Sequence, residues 1–291
     1  MSKPVSILIT GANGQLGTEF RMLENKFPHY QFIFTTKENL SIIHEADIAT
    51  YFLENKFDFC INCAAYTAVD KAETEKEKAY LINATAAGYL AKACEKYGVK
   101  LFHISTDYVF KGAGKEPYKE TDLVDPINYY GYTKLEGEKL VLQFHHEPII
   151  IRTSWVYSPY GNNFVKTMIR LMQQRESIGV VGDQWGAPTY AADLALAIMY
   201  IISSGKYKPG IYHYSNLGKI SWFEFAQKIK ASISSPCIVN SITTKDYPVL
   251  ASRPHFSVFN LNKIQETFGI QIPEWQISLK QCIHLIQQGH T

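Results

Sequence analysis

A glycine-rich turn at the start of the chain constrains the fold more than any other feature. An apolar run, Val5–Thr10, leads directly into Gly11-Ala12-Asn13-Gly14-Gln15-Leu16-Gly17, which opens an amphipathic stretch, Gln15–Lys26, with Leu16, Phe20, Leu23 and Phe27 on one stripe. In such a turn Gly11 permits the tight bend, Gly14 lets backbone approach a pyrophosphate at the helix N-terminus, and Gly17 lets helix and strand pack closely. The pattern is weak in isolation. Placed between a first strand and a first helix, it predicts a nucleotide-binding βα unit.

Short apolar runs then alternate with helical stretches. Gln31–Phe34 reads as a second strand, Asp47 as the cap of the next helix, and Asp58–Cys63 as a third strand. Lys78–Tyr97 reads as an Ala-rich helix closed by Gly98, Lys100–Ser105 as a fourth strand, Tyr130–Phe144 as a helix and Pro148–Thr153 as a fifth strand. This alternation predicts an α/β chain with a Rossmann-like doubly wound parallel sheet. Beyond Trp155 turns cluster at 158–161, 182–188 and 234–236, which predicts a smaller, discontinuous C-terminal substrate-binding lobe. The expected division is 1–153 for NAD(P) binding, with a return near 180–215, and 154–179 with 216–291 for the substrate.

Composition excludes several partners. A net charge of +2 on 291 residues provides no broad electrostatic footprint for nucleic acid or an anionic membrane. The longest apolar stretch, Leu194 to Ile202, is about half of what a bilayer requires, and the start of the chain reads as a strand, so a soluble, cytoplasmic protein is expected. Five scattered cysteines fit a reducing compartment. Cys60 and Cys63, three apart in a strand, point to opposite faces and should not share a metal; no metal site is expected.

The end of the second strand bears on the cofactor. An acid there would bind the ribose 2′-OH of NAD, whereas this chain has Thr35-Thr36-Lys37, which favours NADPH; Glu38, one residue on, keeps NADH open. Tyr130 and Lys134 lie one helical turn apart on one face, where an ammonium is expected to draw a phenol's pKa down from ~10 toward the working range. The fourth strand ends in Ser105-Thr106, either of which could bond a substrate carbonyl, while His103 lies inside the strand and reads as a packed residue.

Taken together, GANGQLG, CAAYTAVDKAE (63–73), STDYVF (105–110), YGYTK (130–134), RTSWVY (152–157), GNNFVKTM (161–168) and GDQWGAPTYAADLA (182–195) resemble the extended short-chain dehydrogenase/reductases. Within them they resemble the dTDP-4-dehydrorhamnose reductases, over nearly the whole chain to about Pro254. The resemblance implies that Gly11, Gly14, Gln15 and Leu16 hold the pyrophosphate, that Asp47 and Ile48 flank the adenine, and that Ala64, Ala65 and Tyr66 line the cofactor path. It implies that Thr106 orients a 4-keto oxygen of the sugar, Tyr130 protonates it, and Lys134 tunes Tyr130 and bonds the nicotinamide ribose. Thr67, Val69, Asp107, Tyr108 and Trp155 would contact a dTDP-sugar, with Trp155 offering an aromatic face. Asn163 and Phe164 would contribute, and Arg253 would meet the diphosphate. The implied reaction turns dTDP-4-dehydro-L-rhamnose into dTDP-L-rhamnose for cell-surface polysaccharide. Monomer against homodimer, and any Mg2+ at a dimer interface as in some relatives, stay open.

Two alternatives are weighed. A nucleotide-sugar dehydratase or epimerase shares the fold, but a dehydratase would be expected to carry Asp-Glu after its threonine, where this chain has Asp107-Tyr108. A non-catalytic NADP-binding regulatory subunit does not need an acid together with its tuning lysine.

Overall fold

The computed structural model describes residues 4–290. Its first half runs β1 (Val5–Thr10), α1 (Gln15–Leu23), β2 (Tyr30–Phe34), α2 (Glu45–Glu54), β3 (Phe59–Asn62), α3 (Val69–Ala72), α4 (Lys76–Tyr80), α5 (Ala86–Tyr97), β4 (Lys100–Thr106), α6 (Tyr129–Phe144) and β5 (Ile149–Thr153). The second half runs β6 (Val156–Tyr157), α7 (Phe164–Gln174), β7 (Ser177–Val181), β8 (Trp185–Gly186), β9 (Thr189–Tyr190), α8 (Ala191–Ser203), β10 (Gly210–Tyr214), β11 (Ile220–Ser221), α9 (Trp222–Ser232), β12 (Ile238–Ile242), α10 (Asn262–Phe268) and α11 (Trp275–Gln287).

Six parallel strands form the main sheet in the order β10-β5-β4-β3-β1-β2. Helices cover both faces, which is why β1, β3 and β5 read as nearly unbroken apolar runs. On one face Phe20 and Leu23 of α1 meet Leu194 and Ile198 of α8; on the other Ile48 and Phe52 of α2 meet Leu90 and Ala91 of α5. The strand order reverses between β1 and β3, and the crevice beyond their carboxyl ends is where such sheets bind ligands. There Thr10 Oγ1 donates to Asn62 Oδ1 at 2.7 Å, and Asn62 Nδ2 lies 3.1 Å from His103 Nδ1, stitching β1, β3 and β4 together. His103 is thus a packed strand residue.

Several boundaries differ from the sequence reading. The second helix starts at Glu45 after an extended His44, so Asp47 sits in its first turn, favourable to the helix dipole but not its cap. Phe27 lies past the end of α1. The expected helix 78–97 begins at Lys76 and contains a π turn, Leu81–Thr85, which carries Asn83 inward to bond Tyr66 N and O. Cys60 packs among buried residues on one side of the sheet and Cys63 borders the other.

The second lobe is assembled from short pairings, β7 with β12, β8 with β11 and β6 with β9, over a core that includes Tyr157, Phe225, Trp275 and Leu279. The crossing back to the large core comes with α8, near residue 190, because β7 to β9 find their partners in the smaller lobe. Among the described residues no helix is long and apolar enough to cross a membrane, and no cluster of three metal-ligating side chains occurs.

Candidate active site

A cleft of about 730 Å3 opens where the carboxyl ends of β1, β3 and β4 meet the second lobe. The glycine turn forms one wall. Gly11 has φ +65°, and a Cβ there would stand 2.7 Å from the backbone of Ala64; a Cβ on Gly17 would stand 2.6 Å from Ala12 Cα. Gly14 precedes α1 with no side-chain cap, which leaves the first-turn N–H groups without a side-chain partner where Gly14, Gln15 and Leu16 line the cleft, as an anion cradle requires. These features fit a dinucleotide pyrophosphate. Gln15, Leu16, Ala65, Thr67 and Val69 line the same cleft.

The reactive groups come from β4 and α6. Asn128 caps α6 by accepting from Gly131 N at 2.8 Å, which sets Tyr130 and Lys134 in the first turns. A Cβ on Gly131 would come within 2.2 Å of Tyr108 O, so the glycine lets α6 press against the end of β4 and set Tyr130 beside Tyr108, ring centroids 5.7 Å apart. The cleft is lined by Thr106, Asp107, Tyr108, Tyr130 and Lys134 together. Burial pushes the Tyr130 phenol up to about 12, a bond from Thr106 opposing and Asp107 adding to the rise. Burial also draws Lys134 down to about 8, against the pull of Glu138 and Cys63. Lys134 therefore does not bring Tyr130 below its ordinary value, contrary to the expectation from helical spacing. Desolvation dominates at Tyr130, and the Lys134 ammonium donates to Ile104 O at 2.7 Å.

Thr106 and Ser105 divide their tasks. Thr106 Oγ1 donates to Asp107 Oδ1 at 3.0 Å and accepts from Tyr108 N at 3.2 Å, whereas Ser105 Oγ donates to Glu138 Oε1 at 2.5 Å. Asp107 is buried with Oδ2 unpaired, and burial raises it to about 6 against bonds from Ser257 and Thr106.

The opposite wall is aromatic. Trp155 adopts φ +47°, a strained conformation for a non-glycine residue, and its indole stacks on Trp222 with centroids 3.4 Å apart. A Cβ on Gly186 would lie 2.6 Å from Trp155 Cε2, so the ring abuts bare backbone. Phe164 leans on Trp222 at 4.6 Å. Trp155 therefore does not stand alone with a free face: all three rings line the cleft as one surface.

The geometry can be set beside known proteins. Residues 5–288 match the family model described as RmlD substrate binding domain. The dTDP-4-dehydrorhamnose reductase of Aggregatibacter actinomycetemcomitans is 42% identical, covering 94% of this chain and 97% of that protein. Spore coat polysaccharide biosynthesis protein SpsK of Bacillus subtilis is also 42% identical, over 95% of this chain and 96% of its own. The crystal structure of dTDP-4-dehydrorhamnose reductase from Bacillus anthracis in complex with NADP superposes with a TM-score of 0.93 at 42% identity, over 97% of this chain and 99% of that one. The chain belongs to the dTDP-4-dehydrorhamnose reductase family.

Not every residue implied by the resemblance reaches the cleft of this family member. Ile48 is buried in the core between α2 and α5 and Asp47 is exposed on α2, so neither side chain borders it. Ala64 packs its backbone on Gly11, and Tyr66 packs with Ala72 and Ala79. Asn163 uses its amide as the α7 cap and as a donor to Gln15 Oε1 and Ser158 O. It clasps the two lobes. Arg253 gives its guanidinium to Asp70 Oδ2 and Ala251 O, both at 2.7 Å, and so holds the strand-like strap before β-bridged Phe256 against α3. Sequence reasoning missed Trp222, Asn13 and Asn162, all of which line the cleft. Asn13 and Asn162 lie inside motifs already singled out; for Trp222, some 67 positions beyond Trp155, the sequence carries no local signal.

Proposed function

We infer that this protein reduces the 4-keto group of dTDP-4-dehydro-L-rhamnose to the hydroxyl of dTDP-L-rhamnose, using NADPH. The observation that carries the reading is the convergence of Tyr130, Lys134 and Thr106 between a dinucleotide cradle and an aromatic wall. When bound, the reduced nicotinamide supplies a hydride for C4. The chain's own groups manage the proton. Tyr130, neutral to about pH 12, keeps its phenol proton across the working range and gives it to the C4 oxygen. The phenolate left behind is stabilised by the ammonium of Lys134. Thr106 redirects its hydroxyl from Asp107 to the keto oxygen as the sugar enters. The sugar nucleotide lies along Thr67, Val69, Asp107 and Tyr108 against the Trp155–Trp222–Phe164 surface. Arg253 reaches the diphosphate on leaving Asp70.

The preference for the 2′-phosphate rests on the end of β2. Thr36 and Lys37 follow the strand, Arg21 lies 4.3 Å over the Phe34 ring, and Glu38 is exposed beside Lys37. The cofactor falls to residues 1–153 with a return from about 190 to 215, and the sugar to the smaller lobe built from 154–189 and the later chain, apart from the stretch around α10, which packs on the large core. All five cysteines are free, in keeping with a reducing cytoplasm. Turnover of dTDP-4-dehydro-L-rhamnose, followed as cofactor oxidation with NADPH and then NADH, is the test. The expected result is turnover with a higher kcat/KM for NADPH; no oxidation of either cofactor would overturn the assignment.

A further inference from the structure

Two cations are buried near the floor of the cleft. Lys134 is 2% exposed and Arg152, on β5, is 3% exposed. Charges removed from water to this degree need an anion, and the one at hand is Glu138, 2% exposed and one helical turn beyond Lys134 on the same face of α6. Its carboxylate is held on all sides. Oε1 accepts from Arg152 Nε at 2.9 Å and from Ser105 Oγ at 2.5 Å, and Oε2 accepts from Arg152 Nη2 at 2.7 Å. Bidentate pairing fixes the carboxylate's orientation, and the serine ties it to the end of β4, next to Thr106.

We propose that Glu138 is a positioning residue that holds Lys134 in its ammonium form, and that Arg152 and Ser105 are the clamp that keeps Glu138 in place. The groups facing Lys134 support this. From β4 comes His103, held neutral by burial and by the lysine's own charge; from the end of β3 comes Cys63; from its own helix come Tyr130 and Glu138. Burial draws the lysine down to about 8, and Glu138 is the foremost group opposing that fall. With the carboxylate removed, the foremost group opposing the fall would be gone, and desolvation would favour the neutral amine. The inference rests on the reading of Lys134 as the cation that supports Tyr130.

Glu138→Gln tests it, because the amide keeps the size and removes the charge. Two quantities are followed from pH 6 to 10: the NADPH dissociation constant and kcat. In the wild type both should worsen as Lys134 loses its proton near pH 8. In Glu138→Gln that midpoint should fall by about one pH unit, with losses of about fivefold at pH 8 and less than about twofold at pH 6. Glu138→Asp, which retains the charge, should return the midpoint toward the wild-type value. Should the stranded guanidinium prevent Glu138→Gln from folding, Glu138→Gln/Arg152→Met removes both charges and is read by the same midpoint. A folded variant whose curves drop equally at every pH, with the midpoint unmoved, overturns the proposal. A wild type that shows the midpoint in NADPH binding but turns over no 4-keto sugar would instead overturn the functional reading and leave Glu138 its role.

Discussion

The glycine wall and the aromatic wall face each other across one cleft, yet they are built from chain segments of very different span. The first is contiguous, Gly11 to Gly17, with its tightest outside approach at Ala64 and further bonds from Ala12 N to Thr35 O and from Asn163 to Gln15. The second brings Trp155, Phe164, Gly186 and Trp222 together from four separate stretches of the chain. Both depend on an absent side chain, since Gly11 and Gly186 each admit a neighbour into the volume a Cβ would fill. The difference is in what holds them. Local backbone geometry sets the glycine wall, whereas the aromatic wall exists only once the smaller lobe has packed.

The largest effect is expected where the walls meet. Tyr130→Phe removes the proton donor and should lower kcat by about 10³-fold while NADPH binding stays within about twofold; stopped-flow rates and a fluorescence titration check it. A variant retaining a tenth of the rate would take the acid role from Tyr130. The next pair separates the walls. Gly11→Ala forces a Cβ against Ala64 at φ +65° and should cost roughly 1–3 kcal/mol and most NADPH affinity. Gly186→Ala should displace Trp155 and raise the sugar KM about tenfold, with the NADPH dissociation constant unchanged. If Gly186→Ala weakens NADPH as much as it weakens the sugar, the walls are not independent.

The smallest effect concerns their junction. Glu19 of α1 is buried and accepts from Ser158 Oγ of the smaller lobe at 2.7 Å; burial raises its carboxyl to about 7 from an ordinary 4.5. Since the folded state binds the proton more tightly than the unfolded one, stability should fall as pH rises from about 4.5 to 7 and then level off. Glu19→Gln keeps an acceptor for Ser158 and removes that slope. At pH 8 it should be more stable by ~1–2 kcal/mol in denaturant titrations, whereas unchanged pH dependence would mean that Glu19 ionises freely where it stands.

Much of the cofactor side was legible in the sequence. Gly11, Gly14 and Gly17 stand where their spacing put them, and Tyr130 and Lys134 share a face because a helix brings residues four apart together. The sugar side was legible only in fragments. Phe164 lines the cleft, but Asn163 beside it is spent on capping α7 and on Gln15, a partner 148 positions away that no local pattern announces. Arg253 is engaged in the same way by Asp70, 183 positions before it.

The sequence by itself determined the parallel sheet, the dinucleotide turn and the pairing of a phenol with an amine, because each follows from strand alternation, glycine conformational freedom or helical spacing within a few residues. Only the tertiary structure decided how those groups are charged and to whom they are bonded. Spacing led to the expectation of a tyrosine lowered by its lysine, whereas burial raises Tyr130 and depresses Lys134, and folding pairs Glu138 of α6 with Arg152 of β5. Protonation depends on how much water and which charges surround a group, and those neighbours arrive from β3, β4 and β5 only when the chain has folded.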